Sequence, residues 1–400
     1  LWFFVSFVFH AMTFNTNFDF ILAGGGAAGL SLACHLVRSP LRDASILIID
    51  KDDEDQMRRN WGYWSRRPNF FDPTPDHTWR TLRFEADGVR HDLDLGEYSY
   101  TLVRGRDFYR FAKADLAAHP NVTFVQDVVD EICDGEEAAT VTAGGTTYRG
   151  SWVFDSLLSK SDLKRIPPQY HQLKMHFKGW EIETPAPAFD TSAATLFDFR
   201  TPQRGLMRFF YVMPYAPNRA LVEYTIFSEH VLPKEAYEAA LREHIEGVRG
   251  IHDYKIIEEE NGAVPITNYP FPRKEGRRIM AIGAKAGRVK PSTGYSIMRV
   301  QRDTENIVQS LVQHGHPFDM PEDSEWYRLL DRVMLEIMQE AGETLAPIFT
   351  AMFTRNPAER ILHFLDEQAS AVEQAALIAS LPAGEFVKAL GRVMMQKEQV

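Results

Sequence analysis

Apolar and polar positions follow two regimes along this chain. In the first, short unbroken apolar runs alternate with helical patterns: Phe20-Ile21-Leu22-Ala23 passes through glycines into a helical segment over 27–37, and Ile46-Leu47-Ile48-Ile49 follows. That order predicts a βαβ unit. A helix is expected over 106–118 and further strands over 122–125, 139–142 and 151–155. The second regime lies between residues 170 and 230, where aromatic and β-branched runs at 173–183, 195–199, 207–213 and 220–227 are separated by turn residues. These predict an antiparallel sheet. A helix is expected over 233–245. The first regime returns at Arg278-Ile279-Met280-Ala281-Ile282-Gly283 and runs into a helix over 296–314. Beyond Glu325 the pattern is helical, interrupted near Pro347, Pro357 and Pro382. The reading is an α/β protein whose Rossmann-type domain comprises 17–165 and a return segment 273–320. An antiparallel substrate-binding domain at 166–272 separates them, and a helical C-terminal region occupies 321–400.

The glycines after the first strand give this pattern its chemistry. Gly24, Gly26 and Gly29 form G-x-G-x-x-G between a strand and a helix, and Asp50 ends the second strand 21 residues past Gly29. One glycine makes the turn, one lets backbone approach a pyrophosphate, and one lets the helix pack on the strand. Ala27 and Ala28 offer backbone N–H groups at the helix N-terminus, where phosphate binds. Asp50 is suited to a ribose hydroxyl. Strand, helix and acid agree with the glycines, so a dinucleotide site is expected; the motif fixes a cofactor class but no reaction.

Composition narrows the field. A hydrophobic share of 44% and a charged share of 25% describe a globular chain, and 400 residues suffice for two domains. The net charge of −11 argues against nucleic-acid binding, which needs a basic face. Cys34 and Cys133 are the only cysteines and no His/Cys cluster has ligand spacing, so neither a disulfide framework nor a metal site is expected. The run Leu1-Trp2-Phe3-Phe4-Val5-Ser6-Phe7-Val8-Phe9 is about half the length of a spanning helix. With Met12 just before the first strand, it is read as translation from upstream of the true start, a short apolar anchor being the alternative. No other run is long enough to span a bilayer.

Five blocks then occur in a telling order: the glycine turn, Asn60-Trp61-Gly62-Tyr63-Trp64, Val153-Phe154-Asp155-Ser156, Phe210-Tyr211-Val212-Met213-Pro214 leading into Leu221-Val222-Glu223-Tyr224-Thr225, and Lys290-Pro291-Ser292-Thr293-Gly294-Tyr295-Ser296. Over residues 18–310 the chain resembles the bacterial lycopene β-cyclases. The resemblance implies an FAD-binding Rossmann-type fold, with the flavin in its reduced form and NAD(P)H as electron source. It also implies cyclisation of the acyclic ends of lycopene to β-ionone rings without net redox change. The substrate would be lycopene or a related carotenoid, and the place of action the cytoplasmic face of the inner membrane, with peripheral attachment. Gly283, Pro291, Gly294 and Asp155 would join the glycine turn in holding FAD. A flavin-dependent monooxygenase or reductase acting on an isoprenoid is the alternative, weakened because Gly283-Ala284 and Asp155-Ser156 replace the G-D and D-G pairs of the hydroxylases. The oligomeric state is open.

For the chemistry itself, protonating an alkene requires a strong acid kept from water, and a carboxyl in an apolar setting holds its proton. Glu223 stands in a strand otherwise poor in charge, and alternation puts it on the face of Leu221 and Thr225, opposite Val222 and Tyr224. The related motif commonly has two acids together; here Tyr224 takes the second place, so a single acid is expected. Trp61, Tyr63, Trp64 and Tyr295 are candidates to steady a cation with their rings. Arg58 and Arg59 are read as solvated. The apolar stretches at 361–365 and 386–395 carry basic residues at helical spacing and could rest on a bilayer or pack on the domain.

Overall fold

The computed structural model describes residues 15–51, 60–72 and 77–397. The N-terminal apolar run, Arg58 and Arg59 lie outside the described residues. The chain opens with β1 (Asn17–Ala23), α1 (Ala27–Val37) and β2 (Ile46–Asp50). Short strands β3 (Asn60–Ser65), β4 (His77–Trp79), β5 (Thr81–Ala86), β6 (Val89–Asp94) and β7 (Ser99–Arg104) follow. Next come α2 (Gly105–Ala117), β8 (Val122–Gln126), β9 (Val129–Cys133), β10 (Ala139–Ala143), β11 (Thr146–Asp155) and α3 (Lys160–Lys164). Long strands β12 (Leu173–Glu183), β13 (Ala194–Asp198), β14 (Met207–Ala216) and β15 (Arg219–Ser228) precede α4 (Lys234–Arg242), which runs into a π-helical turn. After β16 (Lys255–Ile266) and β17 (Ile279–Ala281), helix α5 (Ile297–His314) leads into the C-terminal region. That region holds α6 (Glu325–Ala341), α7 (Leu345–Arg355), α8 (Ala358–Leu365), α9 (Ala371–Ser380) and α10 (Ala383–Lys397).

The Rossmann-type sheet has the order β8-β2-β1-β11-β10-β9, with β17 added beside β11. β8, β2, β1, β11 and β17 run parallel, and β9 and β10 join antiparallel. Helices α1, α2 and α5 cover one face: Leu30, Leu36, Phe108, Leu116 and Ile307 pack there on Leu22, Ile48 and Phe154. The strands read as continuous apolar runs because both faces are covered.

The second sheet has the order β16-β12-β15-β14-β13-β5-β6 and is antiparallel except where β13 meets β5. It takes β5 and β6 from before residue 100, so its strands do not all come from 166–272; these two close an edge that β13 would otherwise expose. Its two faces have different partners. Trp180, Val222, Tyr224 and Ile226 turn to α4 and the π-helical turn. Leu221, Phe209, Met213 and Phe227 turn to the core shared with α6, α7, α8 and α10. β3, β7 and β4 form a small third sheet. The fold class expected from the pattern is the one found: an α/β Rossmann-type region, an antiparallel sheet and a helical C-terminal region.

Candidate active site

The turn after β1 is built for an anion. Gly24 has φ +100°, a conformation that favours glycine, and a methyl group on Gly29 would overlap the Gly24 carbonyl oxygen. Helix and strand therefore pack together only with glycine at 29. The first turn of α1 has no side-chain cap and no acid, which leaves its N–H groups for a ligand. Asp50 closes the turn by accepting the Gly25 N–H at 2.5 Å.

These residues form one end of a cavity of about 790 Å³ that continues to the antiparallel sheet. Gly24, Gly26, Ala27, Ala28 and Asp50 line the first end, Gly283, Gly294 and Trp61 the middle, and Tyr295 and Glu223 the far end. The structure thus brings together most of the residues singled out from sequence. Others stand elsewhere. Gly29 acts behind the wall, in packing. Asp155 does not line the cavity, because it is 5% exposed and paired with Lys285, while its Oδ1 accepts the Leu157 N–H at 2.8 Å. Pro291 is off the wall while Val289 and Gly294 are on it. Tyr63 and Trp64 are also removed: the Tyr63 hydroxyl donates to Asp72 at 3.3 Å, and Trp64 Nε1 donates to Asp366 at 2.9 Å. Trp64 instead backs Tyr295, ring centroids 4.6 Å apart.

Glu223 lies on β15 and lines the cavity with Leu221, and Tyr224 points to the opposite face among the residues under α4. An acid at 224 would have faced away from the cavity. A second acid does arrive, from β16. In register, Glu223 on β15 pairs with Gly179 on β12, and Gly179 pairs with Glu260 on β16. All three share a face, and the missing side chain at 179 is what lets the carboxyls meet. A Cβ there would lie 3.0 Å from Glu260 Cγ and 2.9 Å from Leu221 Cδ1. The expectation of a single acid is therefore corrected: the site holds a carboxyl pair.

Glu260 is 7% exposed, and its Oε1 meets no N–H or O–H donor among the described residues other than the Glu223 carboxyl. Its Oε2 accepts the Asn60 N–H at 3.4 Å. Two ionised carboxylates cannot satisfy each other, so one proton is shared across the pair. Glu223 holds it more tightly. Glu223 is half-buried at the cavity wall, and burial, then the charge and hydrogen bond of Glu260, raise its pKa well above the carboxylate range. Thr225 Oγ1 donates to Glu223 Oε1 at 3.0 Å, a smaller opposing effect. Burial pushes Glu260 up to about 7, held back by its bonds to Glu223 and Asn60. A neutral carboxylic acid beside a carboxylate, at the apolar end of a cavity that starts at an anion-binding turn, can deliver a proton and take one back. No group of metal-ligating side chains occurs among the described residues.

The parallel sheet with its glycine turn, the antiparallel sheet across one cavity from it and the closing helices define a flavoprotein fold. Solved structures agree. The geranylgeranyl bacteriochlorophyll reductase-like protein of Thermoplasma acidophilum superposes with a TM-score of 0.62, at 13% identity, over 96% of this chain and 100% of that one. The flavin-dependent brominase Bmp2 gives 0.59 at 14% identity, over 96% and 100%. At such identity the likeness is one of fold. The chain belongs to the lycopene cyclase protein family, whose model matches residues 19–390. Among its relatives, a chloroplastic neoxanthin synthase of Solanum tuberosum is 26% identical and a chloroplastic lycopene beta cyclase of Arabidopsis thaliana 24% identical, each over 75% of this chain. The chain spans 61% of the length of either relative.

Proposed function

We propose that the protein is a lycopene β-cyclase of the bacterial type, which closes the acyclic ends of lycopene into β-ionone rings. The observation that carries this reading is the buried pairing of the Glu223 and Glu260 carboxyls across Gly179 at the apolar end of the cavity. The residues at the other end fit FAD: uncapped N–H groups at Ala27 and Ala28 suit its pyrophosphate, the open wall at Gly26 admits its backbone, and Asp50 is placed for a ribose hydroxyl. When bound and reduced, with NAD(P)H as electron source, FAD supplies negative charge close to the reacting hydrocarbon.

Glu223 gives its proton to the terminal double bond, and a tertiary carbocation results. The neighbouring double bond attacks that carbon and closes the ring. A carboxylate of the pair then removes one proton from the new ring, which restores the shared-proton state. One proton enters and one leaves, so the product is an isomer of the substrate. The low-dielectric surroundings that keep Glu223 protonated also keep water from trapping the cation.

A hydrocarbon of this kind is drawn from a membrane, and the reading places the protein on the cytoplasmic face of the inner membrane. No helix among the described residues is long and apolar enough to cross it. The surface of α9 and α10 serves for attachment. Expression in a lycopene-accumulating host, followed by chromatography of the pigments, tests the reading. Cyclic carotenoids are expected. Unchanged lycopene beside a flavin-loaded protein would overturn it, and NADPH consumption matched by oxygen uptake or a saturated product would indicate the monooxygenase or reductase instead.

A further inference from the structure

Three phenols border the acid pair, and neither the shared proton nor the cofactor cradle accounts for them. Tyr211 on β14 is the direct cross-strand neighbour of Glu223, on the same face of the sheet. Its hydroxyl neighbours that of Tyr295, which in turn meets the Tyr100 hydroxyl at 3.2 Å. Tyr100 is 1% exposed and sits under Gly62, where a methyl group would overlap its hydroxyl. The row ends there, so it leads no proton to solvent. What it does is hold rings: the Tyr295 and Tyr100 hydroxyls bond each other beside that of Tyr211, and the rings stay where the sheet and the 287–296 loop place them. Trp64, anchored to Asp366, closes the row from behind by packing on Tyr295.

We propose that Tyr211 is a catalytic residue of this site: its ring, held by strand register opposite Glu223 and packed on Phe209, faces the carbon made positive by the Glu223 proton and steadies that charge. Directly opposed side chains on neighbouring strands have Cβ atoms about 5 Å apart, so a carbon close enough to take the Glu223 proton is within reach of the Tyr211 ring. An aromatic face attracts a cation within about 6 Å without offering a lone pair that would bond to it. Burial raises all three phenols well above the usual tyrosine range, so none becomes the phenolate that would trap the cation. The inference rests on the carbocation chemistry proposed above, and it assigns a role that the acid pair cannot fill, since Glu223 and Glu260 handle protons.

The test uses the FAD-loaded protein and a pair of probes, geranyl-trimethylammonium and its neutral isostere with carbon in place of nitrogen, with binding followed by flavin fluorescence. The wild type and Tyr211→Phe are expected to prefer the cation, and Tyr211→Leu to lose about tenfold of that preference. Tyr211→Met serves as a second flexible non-aromatic variant, and retained flavin content and melting temperature mark the variants as folded. An equal preference in the Leu and Met variants, or none in the wild type, overturns the proposal. With lycopene as substrate, loss of the ring lowers kcat rather than raising KM. Probe binding needs no turnover, so failure of the wild type to cyclise lycopene would count against the functional reading alone.

Discussion

Glu223 and Glu260 meet across Gly179, each the cross-strand neighbour of that one glycine. Any side chain at 179 would stand between them on the cavity face. Gly179→Ala is therefore expected to push Glu260 and Leu221 aside, with a stability loss of about 1–3 kcal/mol from overpacking. Cyclisation should fall further than that loss explains, since the shared proton requires contact. Parallel measurement of melting and of turnover separates the two effects; wild-type turnover in the Gly179→Ala variant would show that the pair need not touch.

Glu223→Gln keeps the shape and removes the transferable proton. Turnover is expected to fall by about two to four orders of magnitude, the usual range for loss of a general acid, with flavin content unchanged. Pigment chromatography and flavin absorbance check the two halves.

The pH dependence follows from the pair as a unit. The active form has Glu223 protonated and Glu260 ionised, so turnover should climb as pH rises through about 7 and fall at higher pH, where Glu223 ionises. Glu260→Gln removes the charge that helps hold the Glu223 proton, and the alkaline limb should move to lower pH. Stability runs the opposite way over the same range. The Glu260 pKa is raised by folding from 4.5 to about 7, so its contribution is complete below the unfolded value and is lost as pH rises through the folded one. The variant should gain on the wild type in melting temperature between about pH 5 and about pH 8, and a constant difference would contradict the raised pKa.

Sequence revealed those parts of the site whose local pattern is also their role. Gly24 and Gly29 announce the turn because the backbone there tolerates little else, Gly26 completes the spacing, and Glu223 announces itself as a charge in an apolar strand. Glu260 was hidden for the opposite reason. Glu258-Glu259-Glu260-Asn261-Gly262 and Pro265 carry no apolar alternation to mark a strand, yet β16 is an edge strand, where a proline is tolerated and charge on one side is solvated. The signal that could have found it is the lone glycine in the strong strand β12, which marks a close approach across the sheet. Asp155, Tyr63 and Trp64 were displaced because a partner far along the chain claims each or backs it: Lys285 for Asp155, Asp366 for Trp64, and for Tyr63 the nearer Asp72. No local pattern encodes such pairings.

The glycine turn offers two substitutions with opposite consequences. A Cβ at Gly26 meets only the Tyr109 hydroxyl, at 3.6 Å, so Gly26→Val should fold. Its branched side chain would occupy the cradle, and flavin content should drop by at least an order of magnitude with little change in apoprotein stability. Gly29→Ala strikes backbone at Gly24 instead and should destabilise α1 against β1, lowering the melting temperature with or without FAD. Flavin absorbance and melting of both apoproteins distinguish a cofactor contact from a packing contact. Equal behaviour of the two variants would contradict the assignment.

The proposed membrane attachment draws on α9 and α10, which bury Leu377, Ala389 and Val393 in the core and yet expose further apolar side chains. The polar residues of α9 turn inward: Glu373 bonds His363 and Gln374 accepts the Trp326 N–H. Its outer face is Ala371, Val372, Ala375, Ile378 and Ala379. On α10, Arg392 pairs with Glu336 while Val387, Leu390, Met394 and Met395 are exposed, Val387 and Met395 each at 67%. Exposed apolar side chains of this kind are costly in water and are stabilised by about 25 cal/mol for each Å² withdrawn from it. The double variant Leu390→Glu, Met394→Glu should fold as the wild type does, since both side chains stand free of the core, and should lose most of its flotation with liposomes. Turnover of lycopene presented in those liposomes should fall with it, whereas flavin binding should not change. Undiminished flotation would assign the attachment to another surface and leave α9 and α10 as packing for the catalytic domain.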